Sequence, residues 1–136
     1  MTIARPGPAT VHFDHAVQDG ASVFRLHFEN LAGPAGPRRT VSWRVAGHVL
    51  DAPPVVDSFV APNALYCAIH GQDLRVRAPM SRGGLGNLAQ VLTFRRTLQP
   101  EWFRHAPSVD PDAVVDVARP ADEPGLAVSA LSGGLD

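Results

Sequence analysis

Hydrophobic and polar residues alternate in two stretches near the beginning of the chain. In residues 22–29, three large apolar side chains alternate with Arg25 and His27, and residues 40–45 repeat the pattern around Trp43. Successive side chains of a β-strand point to opposite faces, so this alternation predicts strands with one buried face and one face in water. We therefore expect two half-buried strands here.

A further strand is predicted just before them, over residues 10–14. The pair Asp19-Gly20 comes next, and this pair favours the tight turn of a β-hairpin. Residues 30–39 hold two glycines and two prolines and are predicted to form a loop. The first 50 residues should therefore form an antiparallel meander of about three strands with one face exposed to water.

The pattern changes to helical spacing in the middle of the chain. Apolar residues recur every three or four positions between residues 55 and 70. Asp57 or Ser58 is expected to cap the N-terminus of this helix. Pro62 is tolerated in a first helical turn, and Gly71 is expected to stop the helix.

A strand over residues 73–77 is predicted next, and Ser81 is expected to cap a second helix. The apolar stripe of that helix comprises Leu85, Leu88, Ala89, Val91, Leu92 and Phe94. Residues 99–111 are predicted to form a polar connection and residues 113–118 a strand. The predicted fold class is α+β, with a mixed, mostly antiparallel sheet and two helices on one face.

The last eleven residues carry the most specific motif. The run Leu126–Leu131 contains no charged residue, which favours a strand buried on both faces. The sequence Ser-Gly-Gly-Leu-Asp follows it, with Ser132, Gly133, Gly134 and Asp136 at the defining positions. A glycine pair lets the backbone approach a ligand closely, and successive N–H groups form a concave site for an anion.

This stretch resembles the pyrophosphate loop (PP-loop) of the N-type ATP pyrophosphatases, in which Ser-Gly-Gly-x-Asp-Ser follows a hydrophobic strand. That family includes asparagine, GMP, NAD and argininosuccinate synthetases and the QueC-like 7-cyano-7-deazaguanine synthases. The resemblance covers residues 126–136 directly, and the sequence ends before the closing serine of the family pattern.

The resemblance implies an enzyme that uses ATP and Mg²⁺. Such enzymes adenylate a carbonyl or carboxylate oxygen with release of pyrophosphate, and a nitrogen nucleophile then displaces AMP. It implies that Gly133 and Gly134 donate N–H groups to the β- and γ-phosphates. Ser132 would add a hydrogen bond, and Asp136 would lie beside the phosphates and Mg²⁺. The adenine site and the site for a small-molecule or macromolecular acceptor would lie in later strands, so this chain alone is expected not to catalyse.

The middle of the chain also resembles the amino-terminal region of some QueC-like bacterial proteins, which is a second resemblance. The matching segments are Asp57-Ser58-Phe59, Gly71-x-x-Leu74-x-Val76, Ala78-Pro79-Met80-Ser81 and Gly86-Asn87-Leu88. In those proteins a comparable domain precedes the Ser-Gly-Gly-x-Asp-Ser loop. The expected organisation is an accessory domain over residues 1–118, a linker over 119–125, and the beginning of an incomplete PP-loop domain over 126–136.

Composition excludes several other classes. All twelve basic residues are arginine, which excludes a Walker-type phosphate loop and Schiff-base chemistry, because both need lysine. The net charge of -1 argues against nucleic-acid binding. The single cysteine rules out an internal disulfide and fits a reducing compartment. No apolar run approaches the ~20 residues of a membrane helix. A cytoplasmic protein without a membrane segment is expected, and a homo-oligomer is compatible with these features.

The other candidate residues favour structural roles. The six histidines contain no zinc-binding helical pair, and His12 and His15 are expected on opposite faces of a strand. Cys67 lies on an apolar helix face and is expected in the core. The arginine pairs 38–39 and 95–96 are expected in solvent, with contact to an anionic substrate or tRNA-like partner as the alternative.

Two classes of function therefore remain. The first is the amino-terminal part of an ATP-dependent ligase or synthase that forms AMP and pyrophosphate. The second is a non-catalytic module that binds a partner protein and ends in a flexible glycine tail. A serine codon directly after Asp136, followed by an amphipathic helix, would favour the first.

Overall fold

The computed structural model describes residues 5–105 and 107–117, which form one five-stranded mixed sheet and two helices. The elements in chain order are β1 (Ala9–Gln18), β2 (Ala21–Glu29), β3 (Arg39–Val45), α1 (Asp57–Ile69), β4 (Leu74–Ser81), α2 (Arg82–Leu98) and β5 (Val109–Val115). The predicted order, a meander followed by α-β-α-β, is confirmed.

The strands lie side by side in the order β3-β2-β1-β4-β5. β1 pairs antiparallel with β2, and β2 pairs antiparallel with β3. β4 runs parallel to both of its neighbours, β1 and β5. Parallel neighbours cannot be joined by a tight turn, and α2 accordingly makes the crossover from β4 to β5. The predicted α+β class is confirmed.

A two-residue turn joins β1 to β2 and fixes their register. Asp19 and Gly20 both have positive φ, 51° and 71°, as the favoured hairpin turns require. Gln18 and Ala21 face each other across the turn, and the pairing continues to Thr10 and Glu29. The predicted hairpin is confirmed, and β1 is longer than the stretch 10–14 because β2 pairs with its whole second half.

Both helices pack against the same face of the sheet and enclose one hydrophobic core. Its buried members are Ala9, Val11, Leu26, Phe28, Leu31, Val56, Val60, Ala64, Cys67, Ala68, Leu74, Val76, Met80, Leu88, Leu92 and Phe103. Each large apolar side chain in this set contributes about 1.5–3 kcal/mol by leaving water. The opposite face of the sheet carries polar side chains, as the alternation in β2 predicted.

The buried polar side chain of Gln72, in the loop between α1 and β4, forms hydrogen bonds to the segment before β1 and to the loop between β2 and β3. Its Nε2 donates to the backbone oxygens of Gly7 and Asn30, at 2.8 and 2.7 Å, and its Oε1 accepts from the N–H of Ala32 at 2.9 Å. Gln72 is 1% exposed. Because these bonds satisfy its amide, the side chain can lie in the interior without an unpaired polar group.

The start of α1 corrects one expectation from the sequence. Val56 occupies the N-cap position, and no side chain caps the helix. Asp57 is the first helical residue, and its carboxylate turns away from α1 toward the end of β4. The prediction that Asp57 or Ser58 caps α1 is therefore wrong, because Asp57 has a distant backbone partner instead.

The last strand also differs from its prediction. β5 begins at Val109, within the stretch expected to be a polar connection, because Val109 pairs with Leu74 of β4. Pro111 lies inside β5. A proline is tolerated there because β5 is an edge strand among the described residues, where an N–H on the outer side has no ladder partner.

Candidate functional site

The residues predicted to bind ATP lie outside the described part of the chain. These are Ser132, Gly133, Gly134 and Asp136, together with the predicted linker 119–125 and the predicted strand 126–131. The second group of residues singled out by sequence, in the middle of the chain, is described, and the structure brings several of its members together.

Asp57 and Ser81 form the centre of this group. Oδ1 of Asp57 accepts a hydrogen bond from the backbone N–H of Ser81 at 2.8 Å, and Oδ2 of Asp57 accepts from the Ser81 hydroxyl. The Ser81 oxygen in turn accepts from the N–H of Gly84 at 2.9 Å. Ser81 is thus the N-cap of α2, as predicted, and Asp57 holds this cap from the neighbouring helix.

Gly84 is required by this arrangement. A Cβ atom at position 84 would collide with the Asp57 carboxylate and would lie 2.9 Å from the Ser81 hydroxyl oxygen. At Gly83 and Gly86 a Cβ would meet open space. All three glycines weaken the first turns of α2. Packing against Asp57 and Ser81 explains why position 84 is glycine, whereas no contact within the described residues requires glycine at positions 83 and 86.

A groove runs between α1 and α2 from the Asp57–Ser81 pair outward. Its volume is about 570 Å³, and it is lined by Asp57, Ser58, Ala61, Pro62, Leu65, Met80, Gly84, Asn87, Leu88 and Val91. The only ionisable side chain among them, Asp57, has both carboxylate oxygens occupied by Ser81. The groove therefore suits an apolar group, and its described lining residues offer no free acid or base for catalysis.

The chain leaves the sheet beside this groove. Ser81 pairs with Val115 where β4 and β5 run parallel, so both strands end on the same side of the sheet. Immediately after β5, Asp116 accepts a hydrogen bond from Nε of Arg82 at 3.0 Å. The N-terminus of α2 is thus linked to the last described residues before the predicted linker.

A polar cluster on the open face of the sheet was not recognised from the sequence. Nε2 of His27 lies 2.6 Å from Oδ2 of Asp14, and Nδ1 of His27 lies 3.0 Å from the Thr40 hydroxyl. The hydrogen bond from His27 is the main reason that the pKa of Asp14 lies below its usual value, and Arg25 adds to the shift. The two residues are diagonal neighbours on β1 and β2, a relation that depends on register.

The geometry of this cluster does not define an enclosed catalytic site. A hydroxyl, an imidazole and a carboxylate lie in a row, but the His27 and Asp14 side chains are 40% and 49% exposed. Nucleophilic catalysis depends on donors for a developing oxyanion in a water-excluded site, and an open sheet face does not exclude water. The cluster is best described as a network of hydrogen bonds across three strands.

A second cavity adjoins one of the arginine pairs. It measures about 580 Å³ and is lined by Phe28, Leu31, Pro34, Ala35, Arg39, Val41, Asn63 and Tyr66. Arg39 is exposed at this cavity. The Tyr66 hydroxyl donates to the oxygen of Ala32 and accepts from the N–H of Ala35, so its hydrogen bonds serve the loop before β3.

Cys67 has the environment of a core residue. It is 1% exposed, and burial raises the pKa of its thiol to about 11. A thiol with so high a pKa carries almost no thiolate at neutral pH and is a poor nucleophile. Residues 5–105 and 107–117 contain no cluster of three or more His, Cys, Asp or Glu side chains that could hold a metal ion.

The helices of the described region are also too short or too polar to cross a membrane. Comparison with known proteins gives no relative: no family model, no curated protein and no solved structure matches this chain.

Proposed function

We propose that this chain is the amino-terminal accessory domain, with the first residues of the PP-loop, of an ATP-dependent ligase or synthase that forms AMP and pyrophosphate. The observation that carries the proposal is the sequence Ser132-Gly-Gly-Leu-Asp136 after an uncharged apolar run. Glycines at the second and third positions would let backbone N–H groups approach phosphate oxygens, and Asp136 would lie near Mg²⁺.

The arrangement of the described domain is compatible with this role. In the second resemblance, Asp57 and Ser81 belong to different segments, and the structure joins them by two hydrogen bonds. The chain then leaves β5 beside the same pair, at Asp116. The accessory domain would therefore face the PP-loop domain, across the linker 119–125, with the end of the sheet where β4 and β5 stop.

The reaction proposed for the complete protein has two steps. An oxygen of the acceptor carbonyl or carboxylate attacks the α-phosphorus of ATP, forming an acyl or imidoyl adenylate and releasing pyrophosphate. A nitrogen nucleophile then attacks the activated carbon, and AMP leaves with the bonding electron pair. In the first step Ser132, Gly133 and Gly134 would stabilise the negative charge of the departing pyrophosphate.

The described residues offer no second set of groups for this chemistry. Asp57 is occupied by Ser81, Cys67 is a buried thiol of high pKa, and the His27 cluster lies on an open face. We therefore expect the isolated chain to bind ATP weakly and to release no pyrophosphate.

Two observations test the proposal. The coding sequence after the codon for Asp136 should specify serine and then an amphipathic helix, and a stop codon at that place would overturn the proposal. Equilibrium dialysis of the isolated chain against ATP and Mg²⁺ should show no binding tighter than about millimolar. Micromolar affinity, about 4 kcal/mol stronger, would contradict the proposal that most of the ATP site lies in later strands.

A second candidate function is favoured by the surface of the two helices. The groove between α1 and α2 is lined mainly by apolar side chains, and Phe94 and Leu98 of α2 are more than half exposed. Contiguous exposed apolar surface usually marks a site of protein interaction. Under this alternative the chain is a non-catalytic binding module, and its glycine-rich end has no nucleotide to bind.

A further inference from the structure

Arg39 is a charged residue in a row of β3 that otherwise faces the hydrophobic core. Arg39 pairs with Phe28 of β2, and two residues further along Val41 pairs with Leu26. Side chains directly opposite each other on an antiparallel pair lie on the same face of the sheet. Because Phe28 and Leu26 are both buried in the core, the side chain of Arg39 emerges on the face that the helices cover.

This position puts Arg39 in the wall of a cavity of about 580 Å³. Phe28 and Val41 line the cavity from the sheet, and Tyr66 lines it from α1. Leu31 and two residues of the loop before β3 complete an apolar wall. A concave, mainly apolar cavity of this size is typical of sites that hold a small molecule.

The polar groups of the cavity include one cation. Nδ2 of Asn63 donates to the backbone oxygen of Phe59 at 2.8 Å, and the Tyr66 hydroxyl serves the loop before β3. Arg39 forms no ion pair with an acidic side chain among the residues that the structure describes. Its guanidinium presents a planar set of N–H donors that matches the oxygens of a carboxylate or a similar anion.

A second role for Arg39 follows from its place on an edge strand. β3 lies at the edge of the sheet formed by the described residues, and an inward-pointing charge on such a strand hinders pairing with another chain. That role needs no cavity beside the charge and gives no preference for an anionic ligand. An apolar wall with a cation at its margin is, in contrast, what a ligand with an apolar body and one acidic group requires.

We infer that the cavity beside Arg39 is a binding site for a small apolar acid, a molecule with an apolar body and one anionic group. The body lies against Phe28 and Val41, and the anionic group accepts hydrogen bonds from the guanidinium of Arg39. This site shares no residue with the groove between α1 and α2, and it uses none of the residues assigned to nucleotide binding.

The test uses two fluorescent probes that differ only in charge. Anilinonaphthalene sulfonate carries an aromatic body and one sulfonate, and anilinonaphthalene is the same body without the acid. Both fluoresce more strongly when they leave water for an apolar site, so titration of the full chain gives a dissociation constant for each. The sulfonate probe should bind saturably.

Substitution of Arg39 separates the charge from the apolar contact. Arg39→Met keeps an unbranched apolar side chain and removes the cation, so it should weaken binding of the sulfonate probe at least about tenfold. Binding of the uncharged probe should change less than about twofold. Arg38→Met is the matched control, because Arg38 is exposed beside Arg39 and does not line the cavity, and it should leave both affinities unchanged.

A second variant locates the apolar body. Ala35 lines the cavity, so Ala35→Leu should fill part of it and weaken binding of both probes at least about threefold. The backbone N–H of Ala35 keeps its hydrogen bond to Tyr66, because only the side chain changes. Thermal unfolding should confirm that each variant is folded.

Several results would overturn the inference. No binding of the sulfonate probe by the wild-type chain would show that the cavity does not accept an apolar acid. Equal effects of Arg39→Met on the two probes would leave protection of the sheet edge as the role of the cation. Equal losses in Arg39→Met and Arg38→Met, or unchanged affinities in Ala35→Leu, would place the probe elsewhere. None of these results depends on the outcome of the ATP experiments.

Discussion

The carboxylate of Asp57 accepts a hydrogen bond from the backbone N–H of Ser81 at 2.8 Å, although 24 residues separate them. The same carboxylate accepts from the Ser81 hydroxyl, which itself caps α2. One side chain in the first turn of α1 thus fixes where β4 ends and α2 begins.

Replacing Asp57 by alanine should destabilise the domain. The substitution leaves the Ser81 N–H without its partner and loosens the N-cap, which together should cost about 1–3 kcal/mol of unfolding free energy. Urea unfolding followed by circular dichroism measures it. Asp51→Ala is the control, since Asp51 is exposed in the loop before α1 and should change stability by less than about 0.5 kcal/mol. Equal losses in the two variants would contradict the role of Asp57.

Alanine at two neighbouring glycines should have opposite effects. At Gly84 the new Cβ collides with the Asp57 carboxylate, so Gly84→Ala should lower stability by more than about 1 kcal/mol. At Gly86 the new Cβ meets open space, so Gly86→Ala should raise stability by about 0.5–1 kcal/mol through helix propensity. Thermal unfolding of both variants gives the comparison. A shift in the same direction for both would show that Gly84 is not held by packing.

The His27–Asp14 contact predicts a loss of stability in acid. The pKa of Asp14 lies below its usual 3.8 in the folded state, mainly because of the hydrogen bond from His27. As pH falls, Asp14 is therefore protonated first in the unfolded chain. The contact stabilises the fold fully above the pKa of Asp14 in the unfolded chain, and this stabilisation is lost as pH falls through its lower pKa in the folded protein. Because the side chain is 49% exposed, the effect should be below about 1 kcal/mol.

Urea unfolding between about pH 5 and pH 2 checks this sign. The free energy of unfolding of the wild-type chain should fall more steeply over that range than that of Asp14→Asn. His27→Gln should also reduce the slope, because it removes the main cause of the shift. A wild-type slope no steeper than that of Asp14→Asn would contradict the contact.

Cys67 should be unreactive in the folded protein. Its pKa of about 11 and its burial leave little accessible thiolate at about pH 8, where an ordinary cysteine reacts readily. A chromogenic disulfide reagent should therefore modify the thiol only after denaturant is added. Rapid labelling without denaturant, at the rate of a free thiol, would show that α1 does not bury this side chain.

The order of elements could be predicted because each has a local signal. Strict alternation marked β2, Asp19-Gly20 marked the hairpin, and Ser81 marked the start of α2. The start of β5 could not be predicted, because Val109 becomes part of a strand only by pairing with Leu74. The pairing of residues distant in sequence leaves no local pattern.

The contact between Asp57 and Ser81 could not be predicted from the sequence, and the residues that were predicted to bind ATP lie outside the described part of the chain. The sequence singled out Asp57 and Ser81, each as the cap of its own helix. Ser81 has that role, whereas Asp57 contacts Ser81, a relation set by how α1 packs on the sheet. The exposure of Phe94 was likewise missed, because helical spacing shows that residues share a stripe and not whether a neighbour covers it.

Binding of ATP with Mg²⁺ to the polypeptide translated from the complete reading frame is the most direct test of the proposed nucleotide chemistry. Equilibrium dialysis should give micromolar affinity, with pyrophosphate competing. Ser132→Ala together with Asp136→Ala should weaken binding at least about tenfold, or about 1.4 kcal/mol, while Ser129→Ala should have no effect. Unchanged affinity in the double variant, or no ATP binding by the complete product, would contradict the assignment.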